Sequence, residues 1–246
     1  AWGEACVDRL QGMFAFALWD QRAQSLFLAR DRLGEKPLHY AFLPDRGLIF
    51  GSELKALTVH PGMARELDPC AIQDFFSLGY IADPKTIYRA ARKLEAGHTL
   101  TLTRGASPRL RRYWNPQPVE SADQSPARAA DSLRERLDAA VKSQLVADVP
   151  VGAFLSGGVD SSAVTALAAG HVPGALNAFT IGFEDRQFDE RPYADAVAKR
   201  YGVRHLVETM TGSEMESVDA LADIFDEPFG DSSALPTYHL ARLASR

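Results

Sequence analysis

The stretch Phe154-Leu155-Ser156-Gly157-Gly158-Val159-Asp160-Ser161-Ser162 constrains this chain more than any other. The β-branched run from Val149 to Leu155 reads as a buried strand, two glycines turn the chain, and the Ala-rich segment from Ser161 to Ala169 is helix-prone. The alternation continues downstream. Leu176 to Ile181 reads as a strand, and Arg191 to Tyr201 as a helix ending at Gly202, a natural left-handed stop. His205 to Val207 is a further short strand, and Ser213-Glu214-Met215-Glu216 is a capping box opening the next helix. Repeated βα units predict a parallel sheet of about three strands covered by helices.

Upstream the pattern changes. Met13 to Trp19 is a short apolar, aromatic-rich run, long enough for a strand buried on both faces. Leu26 to Ala29 supplies the second arm of a hairpin, and His39 to Leu43 pairs with Leu48 to Phe50 around Pro44-Asp45-Arg46-Gly47. Thr99 to Thr103 alternates as a half-buried strand should. Asp68-Pro69 opens a helix carrying Ile72, Phe75 and Phe76. These elements predict an antiparallel β-rich layer with helices packed on it. Asn115 to Pro126 reads as a linker, and Ser125-Pro126 opens a helix with an apolar stripe through Ala130, Leu133, Leu137, Val141 and Leu145. Two domains follow, residues 1–115 and 116–246, one α+β and one α/β.

Composition removes several classes. The net charge of −5 lacks the basic footprint of a nucleic-acid binder, and Arg104, Arg109, Arg111 and Arg112 read as a solvated turn. No apolar run approaches the roughly 18 residues that cross a bilayer. Two cysteines, Cys6 and Cys70, are too few for a disulfide scaffold, which favours a reducing cytoplasm; both read as buried small hydrophobes. The six histidines are scattered and form no zinc-ligand spacing.

The Gly-Gly turn is where the chemistry concentrates. Glycines let a ligand approach the backbone, and their amides join the free amides of the next helix's first turn as an anion site. The hydroxyls of Ser156, Ser161 and Ser162 add donors, so phosphate is the expected guest. Asp160 beside a phosphate is repulsive unless a cation such as Mg²⁺ lies between them; its plainer role is an acid at a helix N-terminus. The turn is neither a Walker A loop, having no lysine between residues 149 and 170, nor a dinucleotide fingerprint.

The pattern S-G-G-x-D-S resembles the pyrophosphate loop of the ATP pyrophosphatase group, which adenylates a carboxylate or carbonyl and releases pyrophosphate. Leu10 to Asp20, Ala29 to Leu38 and Gly51 to Leu57 resemble the later part of a type-2 glutamine amidotransferase domain. With Tyr80 to Leu102 and Asp226 to Ser233, they resemble the glutamine-hydrolysing asparagine synthetases, in the family's order along the chain. The resemblance implies the C-terminal part of an Ntn-type αββα glutaminase domain. The first half of a parallel-sheet, adenine-nucleotide alpha-hydrolase-like synthetase domain would follow it, in a chain cut at both ends. It implies a cytoplasmic enzyme, with a homodimer allowed, using glutamine or ammonia, ATP and aspartate. Aspartate would be activated as a β-aspartyl-adenylate and amidated to asparagine, with AMP and pyrophosphate released. Relatives acting on another carboxylate, such as β-lactam-forming enzymes, and a non-catalytic nucleotide-binding scaffold are the alternatives.

By position, the resemblance gives Leu155 backbone contacts to the nucleotide and assigns its phosphates to Ser156, Gly157, Gly158, Asp160, Ser161 and Ser162, with Asp160 on Mg²⁺. Ile181 matches an adenine-contacting position or is a core strand residue. Asp226, Glu227 and Asp231 lie near the substrate edge or are solvated acids. Arg30, Asp31, Gly34, Pro37, Ser52 and Glu53 match motif positions of structural weight, with Arg30 expected to pair with Asp31 and Glu53 to buttress the interface with the second domain. Met13 borders the family's ammonia passage or is a core methionine. Residue 1 is Ala, so the N-terminal cysteine nucleophile of these glutaminases is not in this sequence, nor are the later acid-rich loop and lysine of the synthetase site. No catalytic residue is expected here, and the segment alone should turn over neither glutamine nor aspartate.

Overall fold

In the computed structural model, residues 2–45, 47–118, 125–211 and 217–246 are described. The packing separates two units, residues 1–119 with 224–231 and residues 120–223 with 232–246. The capping box expected at Ser213 to Glu216 falls outside the described residues.

The first unit opens with a 3₁₀ turn, Gly3–Arg9. Strands β1 (Ala15–Asp20), β2 (Ser25–Arg30), β6 (His98–Thr103) and β7 (Arg109–Arg112) form an antiparallel sheet in the order β1-β2-β6-β7. A second antiparallel sheet has the order β4-β3-β5, from β3 (His39–Phe42), β4 (Leu48–Gly51) and β5 (Ala91–Lys93). Helices α1 (Leu54–Thr58) and α2 (Pro69–Leu78) accompany them. Leu54, Leu57, Met63, Ala71 and Ile81 form one core cluster, and Leu28, Leu38, Tyr40, Leu94 and Leu100 another. The Asp68 carboxylate accepts from the Cys70 amide at 2.9 Å to start α2, as its sequence signal requires.

Several expectations for this unit are corrected. The Met13–Trp19 run is not buried on both faces: β1 is a terminal strand, with Leu18 56% and Trp19 54% exposed. Met13, 44% exposed, is not a core residue. Conversely β6, flanked on both sides, buries Thr99, Leu100 and Thr101 in succession, so its Thr/Leu alternation does not mark a wet face. Cys70 is exposed in the first turn of α2 and Cys6 is only partly covered, so neither behaves as a buried hydrophobe.

Arg30 does not pair with Asp31. Its guanidinium donates to Asp83 at 2.9 Å and to the carbonyls of Lys36, Leu94 and Gly34. Asp31, 1% exposed, instead accepts from the amides of Phe14, Leu33, Glu35 and Lys36 and ties the chain leaving β2 into a tight loop. Burial pushes its carboxyl upward, but these amides outweigh that and hold it below its ordinary value.

The second unit begins with α3 (Pro126–Gln144), followed by β8 (Gly152–Phe154), α4 (Val159–His171), β9 (Asn177–Phe183), α5 (Arg191–Tyr201), β10 (Arg204–Met210), α6 (Ser217–Ile224) and α7 (Ala234–Ala244). The sheet is parallel and three-stranded, in the order β10-β9-β8. Gly202 ends α5 at φ +66, the left-handed stop its sequence announced. Ala-rich faces of α4 and α5 meet Leu155, Leu176 and Ala178 in one core, with Val141 from α3. The apolar stripe of α3 is only half used, since Leu133 is 65% exposed. The strand expected from Val149 is shorter than its apolar run, with Val149 71% exposed ahead of β8.

Candidate nucleotide site

The turn from residue 155 to 162 lies at the C-terminal edge of the parallel sheet, where open α/β sheets bind ligands. Leu155, 1% exposed, is the last residue anchored to the sheet, its amide donating to the Phe179 carbonyl at 2.9 Å. The chain then rises into solvent. Gly157 adopts φ +85, and a Cβ there would lie 2.7 Å from Tyr193 Cβ and 2.8 Å from the Ala194 amide nitrogen. The first glycine therefore packs the turn against the start of α5, whatever else it does for a ligand. Gly158 caps α4, whose ladder begins with the Ser162 amide donating to the Gly158 carbonyl at 3.0 Å. The helix itself supplies no acceptor for the amides of Val159, Asp160 and Ser161, so the positive end of its dipole faces the turn.

Two hydroxyls organise the interior of the turn. Ser156 Oγ lies 3.0 Å from Ser161 Oγ and accepts from the Gly158 amide, while Ser161 Oγ accepts from the Ser156 amide and donates to the Gly158 carbonyl. Asp160 is exposed on the first turn of α4. Among the described residues, no three His, Cys, Asp or Glu side chains converge as a metal-binding group. One carboxylate beside hydroxyls fits Mg²⁺ of the kind that arrives on phosphates and keeps waters, not a cage built wholly of protein.

The turn borders a cleft of about 470 Å³, lined by Leu155, Ser156, Ser161, Thr180 and Ile181 and walled by Phe154, Phe179, Phe183 and Phe188. Aromatic walls suit a flat heterocycle, and the hydroxyls at one end suit anionic oxygens. Leu155, Ser156, Ser161 and Ile181 are thus brought together, with Gly157, Gly158, Asp160 and Ser162 on the adjoining turn. The phenylalanine wall and Thr180 were not anticipated. FTIGF reads as core strand, and only the cost of burying a hydroxyl without a partner marks Thr180 in sequence.

Asp226 and Glu227 are largely covered rather than solvated, and both belong to the first unit. The Glu227 carboxylate forms an ion pair with Lys93 and accepts from the Ile87 amide at 3.1 Å. Asp226 lies 3.5 Å from Lys55, which is also 3.3 Å from Glu53. Phe225 and Phe229 stack at 4.7 Å on either side of this acidic pair in sequence, and the Gly230 amide donates to the Gly79 carbonyl at 2.7 Å. With Arg30, His39 and Tyr80 they line a cavity of about 400 Å³. Partners more than 130 residues apart leave no local sequence signal.

Residues 1–114 match the glutamine amidotransferase domain family, and residues 132–246 match the asparagine synthase family. Asparagine synthetase [glutamine-hydrolyzing] 3 of Bacillus subtilis is 37% identical over 83% of this chain and 35% of its own length. A putative glutamine-hydrolysing asparagine synthetase of Mycobacterium bovis is 39% identical over 100% of this chain and 38% of its own. A second putative one, from Methanocaldococcus jannaschii, is 34% identical over 99% of this chain and 48% of its own. The chain therefore spans between about a third and a half of the length of these relatives. A solved glutamine-dependent NAD⁺ synthetase from Acinetobacter baumannii overlays at a TM-score of 0.37 and 18% identity, covering 63% of this chain and 30% of that one, too loosely to carry an argument.

Proposed function

We propose that this chain is part of a protein of the glutamine-hydrolysing asparagine synthetase family, whose two domain families it matches in order, and that its second unit holds ATP for the adenylation of a carboxylate. One observation carries the proposal: a two-glycine turn, bearing serine hydroxyls and facing unused helix amides, opens beside a phenylalanine-walled cleft at the edge of a parallel sheet. The adenine ring enters among the phenylalanines beside Ile181. The phosphates lie over residues 156–162, held by the amides at the start of α4 and the hydroxyls of Ser156, Ser161 and Ser162. Asp160 is the residue that would hold Mg²⁺, which when bound offsets phosphate charge and assists departure of pyrophosphate.

A carboxylate is a poor electrophile, and an acyl-adenylate exchanges its oxyanion for a leaving group that ammonia can displace. In the whole protein the carboxylate is that of aspartate, the product asparagine, and the ammonia comes from glutamine hydrolysed in the amidotransferase domain. The first unit is the later, Ntn-type part of that domain, and the protein works in the cytoplasm. The role of the turn's main-chain donors is to stabilise negative charge where it accumulates as the α–β phosphate bond breaks.

Titration calorimetry of the chain with Mg²⁺ and ATP tests the reading. Saturable binding is expected, weakened in Asp160→Ala, with no asparagine formed from aspartate, ammonia and ATP by this segment alone. Absence of any ATP binding, or robust turnover by the segment, overturns it.

A further inference from the structure

One buried hydroxyl beside the cleft has work that ATP binding does not explain. Thr180, on β9, is 2% exposed, with its Oγ1 2.5 Å from the Leu155 carbonyl oxygen and 2.7 Å from His205 Nε2. His205 Nδ1 in turn lies 2.7 Å from Asp195 Oδ1, on the outer side of α5. Asp195, His205, Thr180 and Leu155 thus form an unbroken line from solvent to the first residue of the turn.

An acid, an imidazole and a hydroxyl in series is also the arrangement that activates a nucleophilic oxygen. That role does not fit here. Thr180 is 2% exposed, and its hydroxyl proton is engaged by a backbone carbonyl rather than by the ring, so the imidazole is not placed to draw that proton off. A carbonyl oxygen only accepts, so the single hydroxyl proton points to Leu155, and the lone pair left over faces the His205 ring.

We propose that Thr180, backed by His205 and Asp195, is a positioning residue that fixes the Leu155 carbonyl and thereby the entry angle of the phosphate-gripping turn. In this arrangement the Thr180 hydroxyl donates to Leu155, and the His205 ring spans the gap between Thr180, facing its Nε2, and the Asp195 carboxylate, facing its Nδ1. The Leu155 amide is already held by the Phe179 carbonyl. With the carbonyl tied as well, both backbone groups of the last anchored residue are fixed to β9, and the next peptide starts from one orientation. This rests on the reading that residues 156–162 hold ATP phosphates.

Calorimetric titration of Mg²⁺-ATP and of adenosine into the chain and its variants separates the possibilities. Thr180→Val keeps the shape and removes the hydroxyl; it should weaken Mg²⁺-ATP binding about tenfold, the scale of one lost hydrogen bond, while changing adenosine binding by less than about twofold. Thr180→Ser should restore ATP affinity to within about twofold of the unaltered chain. Asp195→Ala, at an exposed position, should weaken ATP binding about threefold, and it keeps the test decisive if the valine variant fails to fold. ATP affinity unchanged in Thr180→Val, or in Asp195→Ala where the valine variant does not fold, overturns the proposal; so do parallel losses for ATP and adenosine. Failure of the unaltered chain to bind ATP is a different result, overturning the ATP reading and the positioning role with it.

Discussion

Gly157 illustrates how much one residue position decides. Its left-handed backbone and its close approach to Tyr193 and Ala194 leave no space for a methyl group, and the opposing atoms belong to a helix that cannot easily yield. Gly157→Ala should cost about 2–4 kcal/mol of stability in the second unit, combining backbone strain with overpacking, as read by urea unfolding. Gly158→Ala should cost only about 1 kcal/mol, because its φ is −67 and its nearest neighbour is the Ser156 hydroxyl at 3.3 Å. Equal losses for the two would refute the packing argument. The glycine pair was legible in sequence as a turn between strand and helix, but the packing of Gly157 on α5 was not, because the contact lies 36 residues ahead. The same holds for Arg30, whose adjacent Asp31 is engaged by backbone amides while its real partner is Asp83. Sequence neighbours on a strand point to opposite faces, so adjacency of opposite charges there is weak evidence for a pair.

At the scale of elements, what the sequence encodes locally proved readable. Asp68 and Pro69 open α2, Gly202 ends α5, and three parallel strands alternate with helices in the second unit. The Asp68→Ala variant should lose about 1 kcal/mol through the unmet Cys70 amide, visible as a lowered melting temperature with little change in far-ultraviolet dichroism. An unchanged melting temperature would show that the cap contributes nothing. Burial of strands was less readable, because it depends on the order of strands in a sheet. The aromatic run of β1 resembles a core strand yet lies at the sheet's end, whereas the alternating β6 is central and covered. The Thr180 hydroxyl was hidden for a related reason: its partners come from the turn after β8 and from β10, two neighbours that only the parallel register brings alongside.

Across the whole molecule, two buried groups of the first unit contribute to how stability responds to acid. His39 is buried, and burial pushes its imidazole below the ordinary 6.5, against the opposing pull of the Ser52 carbonyl and the Glu227 carboxylate. The unfolded chain then binds a proton that the folded one refuses, so this contribution is intact above about pH 6.5 and is lost as pH falls toward the lower folded value. Asp31 also titrates lower when folded, so its contribution is intact above its ordinary 3.8 and is lost only below that. Urea midpoints should therefore fall in two stages on acidification. His39→Gln should flatten the stage that sets in below pH 6.5 while leaving the more acidic one; an identical profile in the variant would remove His39 from the account. The bare outer strand β1 has a different consequence. Among the described residues its outer side has no partner strand, leaving main-chain donors and acceptors beside the uncovered Leu18 and Trp19, with Asp20 the strand's one charge. Crowding rather than unfolding will set the ceiling on how concentrated a solution of this polypeptide can be kept, and colloidal attraction along that hem will be felt before any loss of native structure.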